Sequence, residues 1–246
     1  MKEKDGEVCF KSSKYIVYQP YRGLHLAYHA RRFLFSGRSR FQKIDIIDND
    51  AYGRMLLLDG NIQHTEYDSH VFNEALCSHA KKGGLTKVLV LGGGSGQTVM
   101  SLLESSRVQR VTVVEIDELV VEKCKRYIRG VRQAFEDPRV KLVIGDAFNF
   151  IESAGNEFEG AVIDLTEFPF GMKNGGQQLR RLYTGIRAKC QGRCSQYIGS
   201  SVGLSYGPEL RRLVENLSGR MLSGVTFEEA FIPSFGAPHI FMHAGY

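Results

Sequence analysis

The stretch LVLGGGSGQTVM, residues Leu89–Met100, decides the fold of this chain. An apolar run typical of a buried strand enters a cluster of glycines, and a segment with helical character follows it. Glycine lets the backbone turn sharply there, and the missing Cβ lets a ligand come close to the main chain. Alone, such a turn is a weak motif, so its meaning depends on residues further along the chain.

Strands and helices alternate from about Ser69 onward. The apolar segments KVLVLG, RVTVVEID, VKLVIGD and EGAVIDL predict buried strands. SHVFNEALCSHAKK and ELVVEKCKRYIRG predict helices, the second one ending at Gly130. This alternation predicts an α/β domain with a Rossmann-like parallel sheet, whose ligands bind at the carboxyl ends of its strands.

The residues before Ser69 have a different pattern. Short apolar or alternating segments lie between Gly, Asp and Asn, and DNDAYGRM and LDGN carry the signals of hairpin turns. We therefore predict two units: a small antiparallel β-sheet region at residues 1–68 and a Rossmann-like catalytic domain at residues 69–246.

The composition excludes several classes of function. The net charge of the 246 residues is only +5, and arginines cluster in one segment without a basic stripe, so nucleic acid is not an expected partner. Five scattered cysteines without a Cys-x-x-Cys pair argue against a disulfide framework and a zinc site. The charged start of the chain, with no long apolar run after it, predicts no signal peptide, no membrane partner and a cytoplasmic location.

Histidine spacing gives no metal-binding motif either. His70 and His79 are the histidines of one predicted helix, and their separation of nine places them on different faces. We therefore expect no metal.

Three features after successive strands describe a pocket for adenosine. Gly92, Gly94 and Gly96 form the loop. Glu115, about twenty residues further on, is placed to accept both ribose hydroxyls, and Asp146 at the end of the third strand can accept the adenine amine. Because a P-loop Lys and Ser/Thr are missing, S-adenosylmethionine fits this pattern better than ATP.

Acidic residues also follow the fourth strand. Asp164 ends the segment EGAVID and would face whatever lies beside the sulfonium of the cofactor. Glu167 is three residues further on. We predict that Asp164, helped by Glu167, orients or deprotonates the attacking nucleophile.

Five segments in one order resemble the spermidine and spermine synthases. They are FQKIDIIDNDAYGRMLLLDGNIQHTEYDSHVFNEALCSHA, KVLVLGGGSGQ, VVEIDELVVEKCKRYI, FEDPRVKLVIGDAFNFI and IDLTEFP, and together they cover roughly residues 41–169. The resemblance implies an N-terminal β-sheet region joined to a methyltransferase-type Rossmann-like domain, in a homodimer or homotetramer. It also implies aminopropyl transfer from decarboxylated S-adenosylmethionine.

Carried over residue by residue, the resemblance implies that the donor pocket is retained. The predicted donor-binding residues are Gln63, Gly92, Gly94, Ser95, Gly96, Glu115, Asp146, Ala147 and Asp164. Among them Ser95 departs from the family pattern, which has an acid there that meets the primary amine of the aminopropyl donor.

The acceptor pocket departs further from the family. Phe72 and Phe235 stand where the family has tyrosines, Glu167 corresponds at best to a family acid, and the family glutamine falls near Gln196 or Tyr197. The predicted acceptor-binding residues are Phe72, Asn73, Tyr197, Phe235 and His239.

The charge of the predicted site distinguishes methyl transfer from aminopropyl transfer. An acid beside the lone ammonium of the decarboxylated donor contributes several kcal/mol, but it would repel the carboxylate of intact S-adenosylmethionine. Ser95 removes that repulsion, and phenylalanines in place of tyrosines suit a polyamine poorly. The main hypothesis is therefore methyl transfer from S-adenosylmethionine to a small, partly apolar acceptor.

Two alternatives remain open. The first is aminopropyl transfer from decarboxylated S-adenosylmethionine, with Glu167 and other acids replacing the lost ones. The second is a non-catalytic paralogue that binds adenosine metabolites, against which the retained Asp164 argues.

Overall fold

The computed structural model describes residues 3–4, 7–8, 15–21, 24–155, 157–165, 175–201 and 207–245. Among these residues, eight strands precede the first helix. They are β1 (Glu3–Lys4), β2 (Glu7–Val8), β3 (Tyr15–Tyr21), β4 (Leu24–His29), β5 (Arg32–Arg38), β6 (Lys43–Asn49), β7 (Gly53–Leu58) and β8 (Asn61–Thr65).

The elements that follow alternate between helix and strand. They are α1 (Ser69–Lys82), β9 (Lys87–Gly92), α2 (Gln97–Leu103), β10 (Arg110–Glu115), α3 (Glu118–Tyr127), α4 (Val131–Glu136), β11 (Val140–Ile144), α5 (Ala147–Ser153), β12 (Gly160–Asp164), α6 (Gly175–Lys189), β13 (Cys194–Ser200), α7 (Gly207–Met221), β14 (Thr226–Ile232), a 3-10 turn (Pro233–Phe235) and β15 (Ala237–Ala244).

The strands of this second group form one sheet of seven, which confirms the predicted Rossmann-like α/β fold. Their order is β11-β10-β9-β12-β13-β15-β14, and the pairings are parallel except those of β15, which runs antiparallel to both its neighbours. β9 lies between β10 and β12, and its residues 88–91 are fully buried. Because the chain winds away from β9 in both directions, a crevice forms beyond its carboxyl end.

The N-terminal strands are antiparallel, as predicted. β3 pairs with β4, and β5-β6-β7-β8 form a meander. Gly53 has a φ of 70°, and Asp59 and Gly60 have φ values of 47° and 83°. Positive φ in these tight turns is what the Asp- and Gly-rich signals predict, so both hairpins are confirmed.

The predicted end of α3 at Gly130 is wrong. The helix ends at Tyr127, because Ile128 turns extended, and Gly130 adopts a left-handed φ of 76° that starts α4. Helix α4 was not predicted because six residues are too short for helical periodicity to be read. It packs against the glycine loop, where a Cβ on Gly96 would lie 2.6 Å from Val131.

Packing is continuous between the N-terminal strands and the large sheet. Ile46 and Leu56 belong to the same cluster of buried side chains as Val90 and Phe241. The division at residue 68 therefore stays a prediction. None of the described helices combines the length and apolar composition that crossing a bilayer requires.

Asp68, just before α1, bonds to Ser234 in the 3-10 turn near the C-terminal end of the chain. Its carboxylate accepts hydrogen bonds from the Ser234 backbone N–H at 2.6 Å and the Ser234 hydroxyl at 2.9 Å. The Thr65 hydroxyl donates a third bond at 2.6 Å. These bonds hold the 3-10 turn against the start of α1 and place the ring of Phe235 6.0 Å from that of Phe72.

We predict that Asp68→Ala lowers the free energy of unfolding by about 3 kcal/mol, because it leaves the buried N–H of Ser234 without an acceptor. Urea unfolding measures the loss. Asp50→Ala is the control, since Asp50 is an exposed acid whose ion pair with His29 is solvated, and we expect about 0.5 kcal/mol or less there. Equal midpoints for the two variants would contradict the prediction.

Candidate active site

A cavity of about 360 Å³ opens beyond the carboxyl ends of β9, β10 and β12 and extends to β8 and the start of α1. It brings together most of the residues that the sequence predicts for the site. The predicted residues that line it are Gln63, Phe72, Asn73, Gly92, Gly94, Ser95, Glu115, Asp146, Ala147, Asp164 and Phe235.

The glycine loop has no room for side chains at two positions. Gly92 has a φ of 84°, and a Cβ there would lie 2.1 Å from the carbonyl oxygen of Asp164, its partner on β12. A Cβ on Gly94 would lie 2.7 Å from Glu115 Oε2. Both glycines are therefore required by the close approach of neighbouring groups.

Gly96 is not among the residues that line the cavity, and its assignment as a donor-binding residue stays a prediction. It has a φ of 79° and precedes α2, and its Cα faces Val131 and Phe135. Because Gly96 has no side chain, α4 can pack against the glycine loop at this position.

Glu115 is held in place by backbone groups. Its Oε2 accepts the Gly94 N–H at 2.9 Å, and its Oε1 accepts the Asp117 N–H at 2.9 Å. Burial raises the pKa of this carboxyl, and the backbone hydrogen bonds oppose the rise. The carboxylate is thus fixed at the end of β10, facing the cavity.

Asp146 caps helix α5 and also lines the cavity. Its Oδ1 caps α5 by accepting the N–H groups of Phe148 at 2.7 Å and Asn149 at 3.0 Å. The side chain also borders the cavity. Because both capping bonds end on Oδ1, they leave Oδ2 to a ligand.

Asp164 is the carboxylate at the centre of the site. Its Oδ2 accepts a hydrogen bond from the Thr98 hydroxyl at 2.6 Å. Burial raises the pKa of Asp164, and the Thr98 bond lowers it. The Thr98 oxygen also lies 3.2 Å from Asn73 Oδ1, whose amide donates to the Ser69 carbonyl at 2.7 Å. Sequence analysis missed Thr98, although a hydroxyl in the first turn after a glycine loop is the signal that could have found it.

Ser95 borders the cavity without a charged partner in the described residues. Its hydroxyl oxygen accepts only a long bond, 3.4 Å, from the Gln97 N–H. The side chain is partly exposed, so the hydroxyl can contact a ligand, and a larger side chain has space to enter the cavity.

Phe72 and Phe235 make an aromatic wall of the cavity. The ring of Tyr197 lies 5.0 Å from that of Phe72, and the ring of His239 lies 4.9 Å from that of Phe235. The Tyr197 hydroxyl and His239 Nδ1 are 2.8 Å apart, and burial lowers the pKa of His239 to about 3.

Tyr197 and His239 are not among the residues that line the cavity, and their assignment as acceptor-binding residues stays a prediction. Glu167, the second predicted catalytic residue, lies outside the described residues.

The sequence analysis missed several of the residues that line the cavity, among them Gln42, Phe148 and His64. Gln42 donates to Asp117 Oδ2 at 3.0 Å. Phe148 follows the cap residue of α5. His64 is buried, its pKa is lowered to about 3 by burial, and neither ring nitrogen has a hydrogen-bond partner among the described residues. His64 adjoins the predicted Gln63, which is the signal that could have found it.

We predict that Gly92→Ala destabilises the fold by about 3 kcal/mol or more, because the added Cβ meets backbone and the φ is left-handed. Gly219→Ala in α7 is the matched control. Apart from its chain neighbours and the backbone of its own helix, no described atom lies within 4 Å of the position of a Cβ at Gly219, and we expect a gain of about 0.5–1 kcal/mol. Urea denaturation of both variants checks this, and a Gly92→Ala variant as stable as the wild type would refute it.

The fold and the cavity beyond its strand ends define a Rossmann-like class of α/β protein. Two family models match the chain: "Spermine/spermidine synthase domain" over residues 64–192 and "Spermidine synthase tetramerisation domain" over residues 15–66. The chain belongs to the spermine/spermidine synthase family, which confirms the resemblance read from the sequence.

Relatives with curated names are polyamine aminopropyltransferases. The chain is 38% identical over 163 residues to polyamine aminopropyltransferase 1 of Hyperthermus butylicus, a match that covers 64% of this chain and 56% of the relative. It is 32% identical over 211 residues to the enzyme of Aeropyrum pernix, covering 84% and 67%. The match thus spans little more than half the length of the first relative.

Solved structures have the same fold. A spermidine synthase in complex with the transition-state analogue AdoDATO superposes with a TM-score of 0.85 at 23% identity, covering 97% of this chain and 82% of the other. Spermidine synthase from Thermotoga maritima gives a TM-score of 0.83 at 22% identity, covering 97% and 81%.

Proposed function

We propose that this protein transfers an aminopropyl group from decarboxylated S-adenosylmethionine to an amine acceptor. The observation that carries the proposal is its similarity, at 38% identity, to relatives named polyamine aminopropyltransferase. These names favour aminopropyl transfer over methyl transfer, the main hypothesis from the sequence. The acceptor is proposed to be a small polyamine.

The chemistry requires a neutral amine beside the donor. The amine nitrogen attacks the methylene carbon next to the sulfonium, so that a C–N bond forms as the C–S bond breaks. The electron pair of the broken bond stays on sulfur, and 5′-methylthioadenosine leaves as a neutral thioether. The surplus proton on the new ammonium passes to the carboxylate of Asp164.

The position of Asp164 supports this role. Thr98 fixes one carboxylate oxygen by its 2.6 Å hydrogen bond, and the other oxygen can accept from an acceptor amine. A sulfonium needs no acid to leave, so the protein's main task is to align the amine with the carbon. Asp164 contributes the proton acceptor and an attractive negative charge.

The donor is proposed to bind through its adenosine part. Glu115 would accept the ribose hydroxyls, and Asp146 Oδ2 the adenine amine, with Gln63 and Ala147 beside them. The fixed orientation of Glu115 by two backbone N–H groups supports this arrangement, because a pre-positioned carboxylate loses little freedom on binding. Glu167 is proposed as a second acid near the acceptor.

Methyl transfer remains the second candidate because of Ser95. Intact S-adenosylmethionine carries a carboxylate that an acid at this position would repel. An uncharged hydroxyl accepts both donors, so donor choice then rests on other residues of the cavity.

The chain is also proposed to assemble into oligomers through its N-terminal sheets. The match of residues 15–66 to a tetramerisation domain supports this. Apolar side chains of these strands, Val17 and Phe33, are 54% and 44% exposed, as expected of a surface that another subunit covers. The division into units at residue 68 belongs to the same proposal.

The reaction is tested by incubating the purified full-length chain with each donor and a panel of diamines and polyamines. We expect mass spectrometry to find an amine enlarged by one aminopropyl unit with the decarboxylated donor, together with 5′-methylthioadenosine. A methylated amine with intact S-adenosylmethionine, and no aminopropyl product, would establish the second candidate instead. Binding of adenosine compounds without any product would indicate the non-catalytic alternative.

Ser95→Asp should increase the preference for the decarboxylated donor by at least about tenfold, because the new charge attracts the lone ammonium and repels a carboxylate. The ratio of kcat/KM, or of Kd where one donor does not react, measures this preference. Ser106→Asp is the control, since it adds the same charge at an exposed position after α2, and it should leave the ratio unchanged. An unaltered ratio in Ser95→Asp would place the donor tail elsewhere.

Thr98→Val should move the acidic limb of the kcat/KM profile to higher pH. The Thr98 hydroxyl lowers the pKa of Asp164, so its loss raises that pKa, and activity that needs the ionised carboxylate begins to fall at a higher pH. Thr98→Ser keeps the hydroxyl and should restore the wild-type profile. Identical profiles for the two variants would remove Asp164 from the proton transfer.

A further inference from the structure

Three side chains with metal-binding atoms meet on the face of the molecule away from the cavity. They are His79 near the end of α1, Glu228 on β14 and His243 on β15, and one ligand atom from each lies within 4.8 Å of the others. His243 pairs with Ser195 at the start of β13, so the cluster lies at the amino-terminal edge of the parallel strands. Asp164 and the cavity lie at the opposite edge.

His243 has a nitrogen that the described residues leave unused. The side chain is 1% exposed, its Nδ1 lies 2.9 Å from the Ser195 hydroxyl, and its Nε2 has no hydrogen-bond partner among the described residues. Nε2 lies 3.8 Å from Glu228 Oε2, too far for a hydrogen bond. A buried polar atom without a partner costs free energy, and a ligand that bonds to it removes that cost.

We propose that His79, Glu228 and His243 bind a divalent transition-metal ion of the zinc type. Two imidazoles and one carboxylate form a donor set suited to Zn²⁺, and they leave a fourth position for water. The site is independent of the proposed aminopropyl transfer, because none of its residues lines the cavity.

The surroundings of His243 fit a metal ligand. When Nδ1 donates its proton to the Ser195 oxygen, the lone pair stands on Nε2, towards Glu228, and a fixed partner on the far nitrogen is typical of metal-bound histidines. Burial, together with the nearby His79 and Lys82, lowers the pKa of His243 to about 3.

Binding requires a small rearrangement. The rings of His79 and His243 are stacked, with centroids 3.7 Å apart and planes 14° from parallel, whereas a shared metal about 2.1 Å from each nitrogen needs their lone pairs to converge. His79 is partly exposed, and closing the site requires its ring to rotate towards Glu228, which alters the 3.2 Å contact of its Nδ1 with the Ser78 hydroxyl. The β-strand residues then act as the rigid side of the site.

The expectation of no metal concerned the spacing of His70 and His79 within one helix. The fold instead brings His79 against two strands from the far end of the chain, a partnership that helix periodicity cannot reveal. Metal binding would clamp the end of α1 to the β14–β15 edge.

The test uses the untagged full-length chain, stripped of metal with a chelator and dialysed. We expect calorimetry to detect one equivalent of Zn²⁺, Co²⁺ to give the visible absorption of a nitrogen–oxygen site, and Zn²⁺ to raise the Tm with increasing concentration. Glu228→Gln should weaken Zn²⁺ binding by at least about tenfold, and Ser195→Ala, which keeps all three ligands, should weaken it as well.

Glu229→Gln is the matched control. Glu229 is the next residue on β14, and it faces Arg211 at 3.7 Å, so its variant should bind Zn²⁺ like the wild type. The proposal is overturned if no Zn²⁺ binds, if Glu228→Gln binds as tightly as Glu229→Gln, or if Co²⁺ gives the intense absorption of thiolate ligands, which would assign the ion to cysteines. Since Glu228 is partly exposed, its variant is expected to fold.

Discussion

The site depends on the close approach of two neighbouring strands, β9 and β12, where Gly92 is paired with Asp164. A side chain at Gly92 would collide with the backbone of Asp164. The close pairing of Gly92 with Asp164 therefore does two things. It requires a glycine where the chain leaves β9, and it sets the position of the Asp164 carboxylate. Loop and carboxylate form one unit, and every other part of the cavity is arranged around it.

Two hydrogen-bond systems extend this unit into a cavity. Thr98 donates to Asp164 and lies 3.2 Å from Asn73 Oδ1 on α1, and Asp68 accepts from Ser234 in the 3-10 turn, next to the start of α1. Helix α1 thus carries one half of the aromatic wall, Phe72, and is bonded to the turn that carries the other half. Residues separated by more than half of the chain form the wall because buried hydrogen bonds, which are costly to leave unmade, fix their places.

The parts of the site that follow local rules could be predicted from the sequence. Glycines after a buried strand, and acids at the ends of the next strands, predict the loop, Glu115, Asp146 and Asp164, because the carboxyl ends of parallel strands share one edge. The family pattern added Gln63, Phe72 and Phe235.

The remaining errors come from tertiary packing. Strand β13 has a register shift between Tyr197 and Gly199, and such a bulge breaks the alternation that tells which face a side chain takes. The sequence pattern therefore does not fix how Tyr197 is oriented towards the cavity. The contact of Thr98 with Asp164 exists only in the folded chain and could not be predicted from the sequence. The same holds for the contact of His79 with His243. The hypothesis of methyl transfer rested on three positions, Ser95, Phe72 and Phe235, whereas the relatives named polyamine aminopropyltransferase match over 163 and 211 residues.

The positions of the glycine loop differ in whether they can accept a larger side chain. Gly92 and Gly94 admit no side chain, but Ser95, directly beside them, faces open space. A substitution at Ser95 would thus change the charge that this part of the cavity presents, while the glycine backbone beside it stays as it is.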